Sequence, residues 1–264
     1  MKSVFRSDIL EGKVAFVTGG GSGICKGIAE SFMAHGARTV ILGRKVERLE
    51  ATAKEMTDAT GRECLPIGCD VRDGKVVEAA LDQALARFGK IDIVVNGAAG
   101  NFLAPAAQLS YNGFKTVMEI DAMGTYNVCR AAFDKCLRDH GGHVINITAT
   151  LHYGATPLQV HASAAKAGVD AITRTLAAEW GSLGIQVNGI APGPIDGTEG
   201  MTRLAPPGFR EKVADAIPLG RLGTIEDIAQ CATWLVSGAA SYVHGEIVVV
   251  DGGAWLMGSR AMMG

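Results

Sequence analysis

The 264 residues carry 25 Lys and Arg against 27 Asp and Glu, a net charge of -2, with 48% apolar and 20% charged residues. That balance belongs to a folded globular core, and with no Lys/Arg stripe it excludes nucleic acid and an anionic membrane as evident partners. Apolar runs no longer than strands exclude a transmembrane helix, and residues 1–10, interrupted by Lys2, Arg6 and Asp8, read as too short an apolar stretch for a secretory signal.

In chain order, apolar runs at 14–18, 39–42, 64–68, 91–96, 143–147, 186–191 and 246–250 read as strands. They show little apolar–polar alternation, the pattern of parallel strands buried on both faces. Amphipathic stretches fill the intervals. Examples are 46–57 and 224–236, the latter opening on Thr224 with Asp227 three residues on, a helix-start signature. The alternation predicts one α/β domain over 1–264, a doubly wound Rossmann sheet of seven parallel strands with right-handed crossovers. Residues 193–218 hold three prolines and four glycines before Pro218 and predict an irregular substrate loop, a lid rather than filler.

Six cysteines, Cys25, Cys64, Cys69, Cys129, Cys136 and Cys231, form no Cys-x-x-Cys pair and mostly lie in or beside apolar runs. Buried reduced thiols in an intracellular protein are expected. The histidines show no ligand spacing, and His140 and His143 flank a Gly141-Gly142 turn, so no metal site is predicted.

The first strand runs into Thr18-Gly19-Gly20-Gly21-Ser22-Gly23-Ile24-Cys25. Small residues here bring backbone amides and the next helix's N-terminus against a pyrophosphate. Gly19, Gly20, Gly21, Ser22, Gly23 and Ile24 are therefore cofactor candidates. The second strand ends at Leu42-Gly43-Arg44-Lys45. An acidic residue there would accept from the adenosine ribose; Gly43 lacks one, and Arg44 supplies a cation for a 2′-phosphate, with Arg48 one turn on. NADP(H) is expected over NAD(H). Asp70 and Val71, after the third strand, are placed for the adenine edge.

These motifs, with Asn96-Gly97-Ala98-Ala99-Gly100, Lys166 and Ala191-Pro192-Gly193-Pro194-Ile195, resemble the short-chain dehydrogenase/reductase family over essentially the whole chain. Within it the chain looks most like the peroxisomal 2,4-dienoyl-CoA reductases. That likeness rests on Ala98-Ala99-Gly100-Asn101-Phe102, Phe114-Lys115-Thr116-Val117-Met118-Glu119-Ile120-Asp121, Asn146-Ile147-Thr148-Ala149-Thr150 and Gly197-Thr198-Glu199-Gly200. The resemblance implies an auxiliary enzyme of fatty-acid β-oxidation that reduces dienoyl-CoA thioesters to 3-enoyl-CoA with NADPH. It also implies a homo-oligomer, a tetramer, with Lys166 on the nicotinamide ribose and Pro192, Gly193, Pro194, Ile195 and Thr198 on the cofactor.

Several departures stand out. Ala149 and Ala162 occupy the positions of the family's catalytic serine and tyrosine. A ketone reductase needs a hydroxyl acid to protonate the alkoxide; a conjugated dienoyl thioester needs donors at its oxygen and a proton for carbon. The resemblance implies the Asn101 amide, or the backbone of Phe102, as the donor to that oxygen. Asp121, where most of the family has asparagine, is expected to pair with Lys166 and hold a proton-donating water. His161, Ser163 and Tyr153 are the other candidate acids, although His161 and Ser163 flank Ala162 and do not share its face.

Cations for coenzyme A are expected from Arg44, Arg72 and Arg203, and Ser110, Tyr111 and Asn112 should meet the acyl-thioester arm by resemblance. Cys25 replaces the third glycine of the nucleotide motif. The chain ends Ala261-Met262-Met263-Gly264 without a Ser-Lys-Leu-type tripeptide, so the resemblance implies a peroxisome and the ending a cytoplasmic protein. Two other functions fit the same residues: an enone reductase or cyclase acting without CoA, and a non-catalytic NADP(H)-binding protein.

Overall fold

A computed structural model describes residues 3–198 and 209–258. Seven parallel strands form one sheet in the order β3-β2-β1-β4-β5-β6-β7. They are β1 (Val14–Thr18), β2 (Arg38–Gly43), β3 (Cys64–Gly68), β4 (Ile93–Asn96), β5 (Gly142–Ile147), β6 (Ile185–Pro192) and β7 (Ile247–Val250). All five residues of β1 are buried, which is why its sequence shows no alternation. The strand bounds differ from the sequence expectation by a residue or two at most, as helix and strand ends commonly do.

On one face lie α1 (Gly23–Ala34), α2 (Val46–Thr60) and, near the C-terminus, Ile225–Leu235, whose Ile228 and Leu235 pack with Ile28, Phe32 and Met33 of α1. The other face carries α3 (Gly74–Phe88), then α4 (Tyr111–Met118), α5 (Gly124–Ala132), α6 (Arg138–His140) and α7 (Val160–Trp180). There Val77 and Leu81 share one apolar cluster with Val128, Leu176 and Trp180. Burying a side chain such as Phe32 or Leu81, each fully enclosed, stabilises the fold by about 1.5–3 kcal/mol.

Two π turns, Glu119–Met123 and Phe133–Leu137, interrupt the α4–α6 helix. The irregular connection expected over 193–218 is only partly so. Phe209–Ala216 is a helix, α8, which seats Val213 and Ile217 against Ala254, and the Ile195–Gly223 bridge fixes the loop's first turn. The last helix, α9 (Ile225–Leu235), starts at Thr224 as expected. The Thr224 hydroxyl accepts from Asp227 N while the Asp227 carboxylate accepts from Thr224 N. No helix among the described residues is long and apolar enough to cross a membrane.

Candidate active site

In the order 3-2-1-4 the chain leaves β1 toward one edge and β4 toward the other, so their C-terminal ends diverge and leave a crevice. A cleft of about 480 Å³ lies there. Thr18 closes its base: the hydroxyl accepts from Gly97 N and Ala98 N at 3.0 and 3.2 Å. Gly19, Ser22, Gly23 and Ile24 line the cleft. Gly19 has φ +71°, and a Cβ there would stand 2.8 Å from the Gly97 carbonyl oxygen. Gly20 and Gly21 instead pack inward on Ile41 and Leu49.

Cys25 has a structural explanation. A Cβ on Gly97 would lie 2.0 Å from Cys25 Sγ, so the thiol occupies space that Gly97 leaves open. Burial pushes that thiol up to about 12.

At the adenosine end, Arg44, Asp70 and Val71 line the cleft. Arg48 does not; its Nε donates to the Gly21 carbonyl at 3.1 Å and braces the glycine loop. Arg72 grips Asp70, with Nε 3.0 Å from Oδ1, and this hydrogen bonding holds the Asp70 carboxyl below its usual range. Arg72, expected as a cation for coenzyme A, has its guanidinium fork on Asp70 in this structure.

Lys166 and Asp121 meet inside the protein. Lys166 Nζ lies 3.1 Å from Asp121 Oδ2 and donates to the Ile147 carbonyl at 3.0 Å. The other oxygen, Asp121 Oδ1, accepts from Gly100 N at 2.7 Å. The first π turn sets this up: Gly124 N reaches back five residues to Glu119 O, and π turns are frequent at functional sites. Burying either charge alone would cost several kcal/mol; each offsets part of that penalty for the other. Ala149 lines the cleft beside Lys166, and Ala162 is buried.

Asn101 and Phe102 follow Gly100 but are exposed and lie outside the cleft's lining. Asn101 Nδ2 donates to Gln159 Oε1 at 2.7 Å, so its amide is committed within the protein. The Phe102 ring packs 4.3 Å from His161, which is fully buried with no partner on either ring nitrogen among the described residues. Ser110 caps α4 by accepting from Gly113 N, and Tyr111 and Asn112 are exposed. Tyr153 packs edge-on against His152 and Trp255, and burial, then Asp170, raises its phenol. Pro192, Gly193 and Thr198 line the cleft, while Pro194 and Ile195 pair with Gly223 behind it. Arg203 lies outside the described residues. Among those residues no group of His, Cys, Asp and Glu stands together as a metal site.

A family model described as enoyl-(acyl carrier protein) reductase matches residues 19–254. The chain belongs to the short-chain dehydrogenase/reductase family. It is 55% identical over 257 residues to the peroxisomal 2,4-dienoyl-CoA reductase [(3E)-enoyl-CoA-producing] of Pongo abelii, covering 97% of this chain and 88% of that one. It is 45% identical over 258 residues to the like-named protein of Saccharomyces cerevisiae, covering 97% and 88%. Among solved structures, a 7α-hydroxysteroid dehydrogenase complexed with NADH and a 7-oxo bile acid superposes with a TM-score of 0.88 at 30% identity, over 95% of this chain and 98% of that one.

Two residues beside the site were not anticipated. Asp170 is buried on α7 and His152 reaches it from the loop after β5. The one signal for Asp170 is its place four residues past Lys166, one helical turn along the same face.

Proposed function

We propose that this protein is an NADPH-dependent 2,4-dienoyl-CoA reductase that yields a 3-enoyl-CoA. The observation that carries the reading is the buried Lys166–Asp121 pair on a cleft where Ala149 stands at the serine position and Ala162 at the tyrosine position. Such a site has no side-chain hydroxyl at either position to serve an alkoxide, yet retains charged groups able to deliver a proton to carbon.

The cleft fits a dinucleotide: a Cβ at Gly19 would fill the cradle between the ends of β1 and β4. Gly19, Ser22, Gly23 and Ile24 would hold the pyrophosphate beside the N-terminus of α1. Gly20 and Gly21 let that loop pack inward, and Arg48 braces it. Arg44 would take the 2′-phosphate, Asp70 and Val71 the adenine, and Pro192, Gly193 and Thr198 the nicotinamide end, with Pro194 and Ile195 behind them. Bound NADPH supplies the hydride.

A dienoyl thioester that has gained hydride at C5 is an extended enolate, with charge shared among C2, C4 and the thioester oxygen. Protonation at C2 leaves the C3=C4 double bond of a 3-enoyl-CoA. Lys166 and Asp121 orient the water that gives this proton. Asp121 also fixes Gly100 and so places Asn101 and Phe102, whose amide and backbone N–H meet the thioester oxygen once Asn101 releases Gln159. Ser110, Tyr111 and Asn112, with Arg44, border the path of the CoA arm.

The relatives' names favour a peroxisomal setting. Exposed Phe114, Met123 and Tyr126 along α4, the first π turn and α5 favour a homo-oligomer that covers them. Incubation with NADPH and a 2,4-dienoyl-CoA should consume NADPH and yield a 3-enoyl-CoA. Turnover of simple ketones but not of the thioester would reject the reading, and equal rates on an enone lacking CoA would assign the chain to a different substrate class.

A further inference from the structure

Two buried carboxylates flank Lys166, and only Asp121 has been given a role. The second, Asp170, is as enclosed as Asp121. Its Oδ1 accepts from the Thr148 hydroxyl at 2.6 Å, and its Oδ2 lies 2.9 Å from His152 Nε2 and 3.7 Å from Arg174, whose side chain is largely exposed. Thr148 Oγ1 also lies 3.3 Å from the Lys166 carbonyl, and the residue before Thr148 gives its carbonyl to Lys166 Nζ. Contacts thus run from His152 through Asp170 and Thr148 to the backbone of Lys166, whose Nζ in turn holds Asp121 and, through it, Gly100 N. Of these residues Thr148 and Lys166 face the cleft, as does the adjacent Ala149.

Charge balance makes His152 more than a spacer. Lys166 and Asp121 neutralise each other; Asp170 is a second buried carboxylate, and with the Thr148 hydroxyl on Oδ1 its Oδ2 still needs a donor. Arg174 stands at the outer edge, beyond ordinary hydrogen-bond length, so His152 is the close partner. The imidazole leaves its other nitrogen, Nδ1, buried and without a protein partner among the described residues, a cost that a merely space-filling residue would not incur. His152 comes from the irregular segment 149–159, which follows directly on Ala149 in the cleft wall.

We propose that His152 is a positioning residue for the proton-transfer half of the reaction, acting through Asp170. By holding the Asp170 carboxylate it fixes Thr148 and the end of β5. That in turn fixes Lys166 Nζ against Asp121 and the carbon at which the proton arrives. This rests on the dienoyl-reductase reading. The extended enolate accepts a proton at C2, giving the 3-enoyl product, or at C4, giving the 2-enoyl isomer with C2=C3. Atoms and charge balance either way, so the isomer ratio reports the position of the proton donor.

The test is product analysis by NMR for the wild type and for His152→Ala, His152→Gln and Thr148→Val, with NADPH affinity and thermal midpoint measured alongside. His152→Ala should lower kcat by about 10- to 100-fold, in keeping with displacement of a catalytic group by a fraction of an ångström to an ångström. KM for the thioester should change far less, and the 2-enoyl isomer should appear. His152→Gln, which keeps an N–H toward Asp170, should restore the single product. Thr148→Val, which cuts the chain one link further in, should reproduce the mixed product if His152→Ala fails to fold. A lowered midpoint with wild-type kcat and a single isomer in both His152→Ala and Thr148→Val would reduce His152 to a loop staple and overturn the proposal. A wild type that does not turn over dienoyl-CoA would overturn the functional reading itself, and the two failures are told apart by the wild-type control.

Discussion

Gly97 and Cys25 make a size exchange under the cofactor cleft that can be taken apart. Gly97→Ala places a Cβ 2.0 Å from Cys25 Sγ, while of its next contacts Thr18 O at 3.3 Å need give by only a few tenths of an ångström and Ile147 Cγ1 at 3.4 Å is ordinary. The conflict therefore lies with one atom. Cys25 is buried in the first turn of α1, so its thiol cannot swing into solvent, and overpacking of this kind costs about 1–3 kcal/mol. Cys25→Ala removes that single sulfur and costs about 1 kcal/mol, comparable with losing one buried methylene. Adding Gly97→Ala to Cys25→Ala should then cost little further, because the new methyl enters the space the sulfur left. The coupling in this cycle should be about 1–2 kcal/mol, within the range for residues in contact. Urea denaturation of the four proteins measures it, and each kcal/mol should also move the thermal midpoint by about 2–4 °C. NADPH affinity should fall for Gly97→Ala and recover in the double variant, since both residues border the cleft. If Gly97→Ala costs the same with and without Cys25, the explanation of this cysteine is wrong.

Four further outcomes are expected. Arg44→Ala should weaken NADPH binding by about 1–3 kcal/mol, the worth of a charged hydrogen bond, and NADH binding much less; fluorescence titration with both cofactors decides this, and equal losses would remove Arg44 from the 2′-phosphate. Asp121→Asn should lower kcat by about 10²–10⁴, and combining it with Lys166→Ala should fall short of the product of the single effects; a near-normal kcat for Asp121→Asn would move the proton source elsewhere. Thr224→Ala should destabilise the protein by about 0.5–2 kcal/mol through loss of the α9 cap, read from urea midpoints. Arg221, assisted by Thr224, holds the Asp227 carboxyl at about 2 against an ordinary 3.8; this depressed acid contributes stability above pH 3.8 that is lost as pH falls through about 2, so wild type and Asp227→Asn should converge in stability toward pH 2 and differ at neutral pH.

The sheet was legible because its strands are enclosed on both faces: uninterrupted runs such as Val14 to Thr18 admit few other uses, and Thr224 with Asp227 announces a helix start by local chemistry alone. The glycine loop was legible for the same reason, since only a tight approach requires Gly19. What could not be read is which cations are already engaged. Arg44, Arg48 and Arg72 look alike in the chain, yet Arg48 braces Gly21 and Arg72 closes on Asp70, and both pairings depend on how loops after different strands meet. Helix α8 was missed because Pro206-Pro207-Gly208 hides a short helix held by two buried residues, Val213 and Ile217. The Asp121–Lys166 contact was anticipated. The second carboxylate and His152 were not, since a polar residue inside an irregular segment gives no periodic signal.

The two π turns bear on how this chain is compared with others. Each holds one residue more than an α-helix needs for the same stretch, so a single deletion between Glu119 and Met123 could be absorbed by reverting to α geometry, leaving both helix ends in place. Residues outside the turn would keep their facing, so the change would fall on the four residues left inside it, where the present partner of Lys166, Asp121, stands. A one-residue gap within this helix, ordinarily dismissed as an alignment error, is therefore a place where this fold can change its chemistry while keeping its architecture, and the partner of Lys166 should be assigned by register rather than by column.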